Sequence, residues 1–188
     1  MSSSLDQFMA ATDLFDSHVR AISADQWSDA TPCSEWDVRA LVNHVVGEQL
    51  WVVPLLDGKT VAEVGDALDG DLLGEDPLAT WTSSLAASRA AFGAPGALDS
   101  VVHLSFGDET GAGYCDQMAL DALIHGWDLA KAIGADDTLP ADSVEWALAG
   151  IEPVQEMLTA SGAFGTPQAI SDDANRQADL LARLGRTP

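Results

Sequence analysis

The chain has 188 residues, 47% hydrophobic and 20% charged, a soluble globular composition rather than a disordered one. Thirty acids against eight Lys plus Arg give a formal charge of -22, and a surface of that sign repels nucleic acid and anionic membrane, so neither is expected as a partner. No apolar run approaches the roughly 20 residues that cross a bilayer; the longest, around Leu50 to Leu56, is short and contains Pro54.

The N-terminal MSSSLDQFMAATD carries neither a positive charge nor an apolar signal core, which predicts a cytoplasmic protein without a secretory signal. Helical periodicity begins at once. Leu5, Phe8, Thr12, Phe15, Val19 and Ile22 alternate at spacings of three and four, predicting an amphipathic helix from about Ser4 to Ser23. After a turn ending in Thr31-Pro32, Ser34 reads as an N-cap with Asp37 reaching back in a capping box. The second helix is expected from about Glu35 to Leu50 or beyond. Its apolar residues, among them Val38, Leu41, Val42, Val45 and Val46, cover most of its circumference, which places it centrally.

Residues 57–77 are rich in Gly and Asp and read as a long connection with one helical turn at Val61 to Leu68. Pro77 opens a third helix whose buried face is Leu78, Trp81, Leu85, Ser88 and Phe92, stopped by Gly93 and Pro95. Val101, Val102 and Leu104, ahead of Gly107-Asp108-Glu109-Thr110-Gly111, predict a short hairpin or extended loop. A fourth helix follows from about Tyr114 to Ile133, closed by Gly134, and a fifth from about Asp142 to Ser161 with a kink at Pro153. Residues 162–173 read as loop and Asn175 to Leu184 as a short terminal helix. No repeat or linker divides the chain, so it reads as an all-α single domain over 1–188.

The residues that carry chemistry lie on the second and fourth helices. Asp121 and His125 are spaced i, i+4, so both project from one face and can grip one ion without bending the helix. Taken alone, such a pair is more often a solvated surface feature. The setting changes that: Met118 and Ile124 put apolar groups on the same face, where a buried acid or imidazole is costly unless paired or metal-bound. Asp128 extends the face as a partner behind the ligands. His44 sits mid-way along the most hydrophobic helix, where spacing alone leaves a satisfied core histidine ahead of a ligand, with Asp37 and Glu48 as hydrogen-bond partners. His18 and His103 read as surface or edge residues. Cys33 and Cys115 belong to no CxxC pair, read as small buried or half-buried apolar residues without a disulfide, and have no metal-ligand spacing.

The segments TPCSEWDVRALVNHVVGE (Thr31 to Glu48) and ALDALIHGWDLAKAIG (Ala119 to Gly134) resemble the DinB-like metalloprotein superfamily, in particular the branch of the mycothiol-dependent maleylpyruvate isomerase N-terminal domain. The ending ADLLARLGRTP is similar to that of stand-alone members of the branch. The resemblance implies a DinB-like four-helix bundle with extra short helices, holding one divalent metal, zinc or nickel, through His44, Asp121 and His125. The acidic position is often Glu in the branch; Asp121 is a methylene shorter. Three protein ligands leave a coordination position open, the pattern of a catalytic site.

The resemblance also implies mycothiol as co-substrate. A metal-held thiolate attacks an electrophilic small molecule, in a transferase or isomerase reaction, with Asp128 or Glu48 relaying the proton. The isomerase itself carries a second domain that contributes to its active site, whereas this sequence ends after the bundle, so its substrate is not carried over. A metal-dependent hydrolase and a non-catalytic metal- or ligand-binding bundle are the alternatives, the latter expected if Trp51 or Trp127 fills the pocket. The assembly is expected to be a monomer or homodimer.

Overall fold

The computed structural model describes residues 2–162, 164–171 and 173–188, and the chain divides into two compact units, Met1–Ala135 and Asp136–Pro188. The fold is mainly helical with one small hairpin, as the periodicity predicts.

In the first unit, α1 (Ser4–Val19), α2 (Val38–Leu56), α4 (Pro77–Phe92) and α5 (Gly111–Ile133) are the long helices; α3 (Val61–Val64) is a single turn inside the long connection. Helix α1 buries Phe8, Thr12, Phe15 and Val19, and ends before the expected Ser23 because the chain turns at Arg20 and Ala21. Ser34 does not cap α2. The loop 29–37 is pinned by its own hydrogen bonds, Val38 N–H to Asp29 O at 3.0 Å and Trp36 N–H to Cys33 O at 2.8 Å, which delays the helix to Val38. Asp37 is the cap, accepting from the Ala40 N–H at 2.8 Å. Asp37→Ala should therefore cost about 1 kcal/mol, read as a lower urea midpoint with an unchanged slope; an unaltered midpoint would mean the cap is redundant with the loop.

The core of this unit is aromatic and aliphatic. Phe15 meets Trp81 with ring centroids 4.9 Å apart over a floor of Leu41, Val42, Val45 and Val46 from α2, and Phe8 meets Phe92 at the same separation. The Trp81 indole N–H donates to Asp16 at 2.9 Å, so its polar edge is satisfied while its ring is buried. Leu78, expected in the buried stripe of α4, is 40% exposed: it sits in the first turn, where the helix has only begun to meet its neighbours. The partial hairpin reading resolves into β1 (Val101–Leu104) antiparallel to β2 (Gly107–Thr110), so the Gly107 segment is the second strand rather than the turn.

Helix α5 starts at Gly111, three residues earlier than apolar periodicity indicates, because Thr110 caps it through the Gly113 N–H at 3.0 Å. A Cβ on Gly111 would stand 1.9 Å from the Ala97 carbonyl oxygen, so only glycine fits there. Gly134 closes the helix at φ 70. Residues 122–130 are buried without interruption, making α5 the central helix of the unit. Helix α1 packs along it, and His18, expected at the surface, is buried with Nδ1 3.0 Å from the Gly126 carbonyl.

In the second unit the expected fifth helix is divided by Pro153, which lacks the N–H an unbroken helix needs: α6 (Ala141–Ile151) passes through a 3-10 turn, Glu152–Val154, into α7 (Gln155–Ser161). Helix α8 (Arg176–Arg183) is capped by Asn175 and tied to α6 by a two-pronged Arg176–Glu145 pair, both contacts at 2.8 Å. No helix among the described residues is long and apolar enough to cross a membrane.

Candidate metal centre

The site lies in the first unit, where α2 and α5 face each other. His44 is carried by α2 and Asp121 and His125 by α5, and one ligand atom from each lies within 4.8 Å of the other two. His44 Nε2 stands 3.4 Å and His125 Nε2 3.5 Å from the same Asp121 oxygen, Oδ1. Those separations are long for a charge-assisted hydrogen bond, which settles at about 2.7–2.9 Å. They match the roughly 3.3 Å between two vertices of a tetrahedron around a zinc ion with ligands at about 2.0–2.1 Å. Two imidazoles and one carboxylate are also the donor set that borderline divalent cations prefer. The residues present fit a cation.

The His125 ring is held from behind. Its Nδ1 is 2.9 Å from Asp128 Oδ2, and since a carboxylate only accepts, the proton belongs on Nδ1 and the lone pair on Nε2, facing Asp121. Asp128 is fully buried, which suits it to holding the ring rather than to exchanging protons with solvent. Trp36, from the loop ahead of α2, lies tilted against both imidazoles, with centroids 4.7 Å from His44 and 5.6 Å from His125. His44 remains 28% exposed and Asp121 18%, against 7% for His125, so the cluster opens on the His44 side.

The charge around the cluster is unbalanced. Glu48, one turn after His44, has its carboxyl pushed up to about 7, first by burial and then by the charge of Asp121, with His44 pulling the other way. At His44, burial pulls the imidazole down, but the hydrogen bond and charge of Asp121 and the charge of Glu48 outweigh it, and the net shift is upward. The Tyr114 phenol is pushed up by burial and then by Glu48 and Asp121, and its buried hydroxyl has no hydrogen-bond partner among the described residues. Two carboxylates crowded into a half-buried site are stabilised by a cation.

The structure thus brings together all of the residues singled out on α2 and α5: His44, Asp121 and His125 as a cluster, Asp128 behind it and Glu48 beside it. His103 stands apart on the hairpin, paired with Asp108 at 2.7 Å. The Trp127 ring is buried and takes Lys131 over its face at 5.6 Å. Two neighbours were not legible as site residues, Trp36 and Cys33, because both sit in an irregular loop where no periodicity reports which way a side chain points. The only sequence signal for them is their place in the Thr31 to Glu48 segment.

Residues 8–130 match the family described as the mycothiol maleylpyruvate isomerase N-terminal domain, a stretch that contains every residue of the cluster. Two proteins of Mycobacterium tuberculosis, from strains CDC 1551 / Oshkosh and ATCC 25618 / H37Rv and both described as uncharacterized, are 29% identical over 188 residues, covering 97% of this chain and 99% of theirs. No solved structure matches the chain at a significant level.

Proposed function

The chain belongs to the family of mycothiol maleylpyruvate isomerase N-terminal domains, and on that premise we propose that it is a divalent-metal enzyme using mycothiol or a similar low-molecular-weight thiol as a transferase or isomerase. The observation that carries this reading is the three-ligand cluster, partly open on the His44 side. A bound divalent cation, zinc before nickel, would supply the Lewis acidity that keeps a thiol as thiolate near neutral pH.

The chain's own residues do the rest. His44 and His125 each present Nε2, and Asp121 presents Oδ1, from the interiors of two long helices. Asp128 holds the His125 tautomer, and Trp36 packs against both rings. The Glu48 carboxylate, one turn after His44, takes the proton that the thiol gives up and returns it to the product. We further place the protein in the cytoplasm, as a monomer or homodimer acting on a small electrophile.

Glu48 also favours a second reading, a metal-dependent hydrolase in which it serves as base toward water. One experiment separates the two. Protein purified without a His tag should contain close to one equivalent of divalent metal, and calorimetry should show mycothiol binding to the loaded protein and not to the stripped one. Loaded protein that binds no thiol, yet turns over esters or amides, would replace the thiol reading with the hydrolase.

A further inference from the structure

Cys33 Sγ lies 3.3 Å from Asp128 Oδ2, the same oxygen that accepts from His125 Nδ1, and 4.0 Å from Nδ1 itself. We propose that Cys33 is a positioning residue of the metal centre: its thiol holds the Asp128 carboxylate, which in turn fixes His125 with Nε2 turned toward Asp121. The inference rests on the metal reading above and says how affinity at that site is set from the loop ahead of α2.

Three observations carry it. First, Asp128 is fully buried on the central helix. A carboxylate in such a place is oriented by donors from fixed directions, and loss of one loosens that orientation while the others still satisfy its charge. Cys33 reaches it from another part of the chain, 95 residues away, whereas His125 is only one turn back on the same helix. The thiol therefore adds the restraint that α5 cannot supply to itself.

Second, Cys33 sits in a tightly closed loop. The Thr31 hydroxyl donates to the Trp36 carbonyl at 2.8 Å and accepts from the Cys33 N–H at 3.1 Å, and the Trp36 N–H returns to the Cys33 carbonyl at 2.8 Å. The loop that sets Cys33 behind His125 also sets Trp36 over both imidazoles. Ligand orientation is thus governed from one short segment.

Third, the spacing separates a positioning role from a ligating one. Cys33, Asp128 and His125 are close enough to be considered as a cation site of their own. But Nδ1 and Oδ2 are 2.9 Å apart, a hydrogen-bond length and shorter than the roughly 3.3 Å of two ligands on one tetrahedral ion, whereas the atoms of the His44 cluster are 3.4 and 3.5 Å apart. The Cys33 side of the ring is built for a proton and the far side for a metal.

The test compares wild type with Cys33→Ala and Cys33→Ser, the latter keeping a donor. Zinc affinity from chelator competition should fall about 10-fold in Cys33→Ala, within the range for loss of a ligand-orienting partner, and return to within about 3-fold of wild type in Cys33→Ser. In metal-free protein, nitrogen NMR should show His125 as the Nδ1–H tautomer in wild type and Cys33→Ser, and as a mixture in Cys33→Ala, with melting temperatures unchanged. A sulfur-to-cobalt charge-transfer band in the cobalt-loaded wild type, lost in Cys33→Ser, would make Cys33 a ligand and overturn the proposal. So would a wild-type tautomer and zinc affinity in Cys33→Ala. Wild-type protein that retains no metal but shows the tautomer shift would sink the metal reading while leaving the positioning role standing.

Discussion

His125→Ala should abolish metal retention, while His103→Ala leaves it intact. His125 contributes on both sides of its ring: Nε2 faces Asp121 at 3.5 Å, and Nδ1 satisfies the fully buried Asp128 at 2.9 Å. Truncation removes one ligand of three and strips Asp128 of a donor, so the loss should exceed the roughly 100-fold upper range for removing an orienting partner alone. His103 is the matched control, an imidazole paired with Asp108 on the hairpin and outside the ligand cluster. Elemental analysis of both variants, expressed and purified side by side without a His tag, gives the answer. Equal metal content in the two would mean that the ligand set is wrong, and with it the thiol chemistry built on it.

How far such a cluster can be read from residues alone depends on where each member sits. Asp121 and His125 were legible because an i, i+4 pair on a strongly periodic helix fixes its own geometry; the apolar Met118 and Ile124 then mark that face as inward. His44 was harder, since nothing local to α2 distinguishes a ligand from a core histidine, and the deciding fact is the packing of α2 against α5. Resemblance over Thr31 to Glu48 and Ala119 to Gly134 supplied what spacing could not. His18 was misplaced for the opposite reason. Its acidic neighbours in sequence point to water, but its Nδ1 reaches across to the Gly126 carbonyl on α5, a tertiary contact that leaves no local signal. Helix ends shifted wherever hydrogen bonds of the flanking chain outweighed the local signal, as Asp37 displaced Ser34 at the head of α2 and Thr110 drew α5 forward to Gly111. Cys33 and Trp36 show the common limit: a loop's side chains are aimed by tertiary contacts that leave no pattern in the sequence.

The metal-free protein should lose stability as pH rises from about 4.5 to about 7, and metal should remove that loss. Glu48 is the cause. Its carboxyl titrates at about 7 in the folded chain instead of 4.5, so across this interval the folded state keeps a proton that the unfolded state has released. When the native state binds more protons, unfolding free energy falls with increasing pH. At 1.36 kcal/mol for each pKa unit, the fall is about 3 kcal/mol once pH passes 7. His44 acts in the same direction, because its raised imidazole value contributes stability below about 6.5 that is lost as pH climbs through the folded value. The two effects share the charge of Asp121 and are not summed. The exposed carboxylates of Asp71, Glu63 and Glu145 are held low by their partners, and their contribution disappears only as pH falls below about 4, outside this window. Urea unfolding at pH 5, 6, 7 and 8 in the presence of a chelator should trace the decline. Glu48→Gln should flatten most of it, and zinc should hold wild type near its pH 5 stability because the cation replaces the protons as the counter-charge to Asp121 and Glu48. A decline of the same size in Glu48→Gln would assign it to the general repulsion of a chain carrying a formal charge of -22, and would leave Glu48 without the environment that suits it to proton transfer.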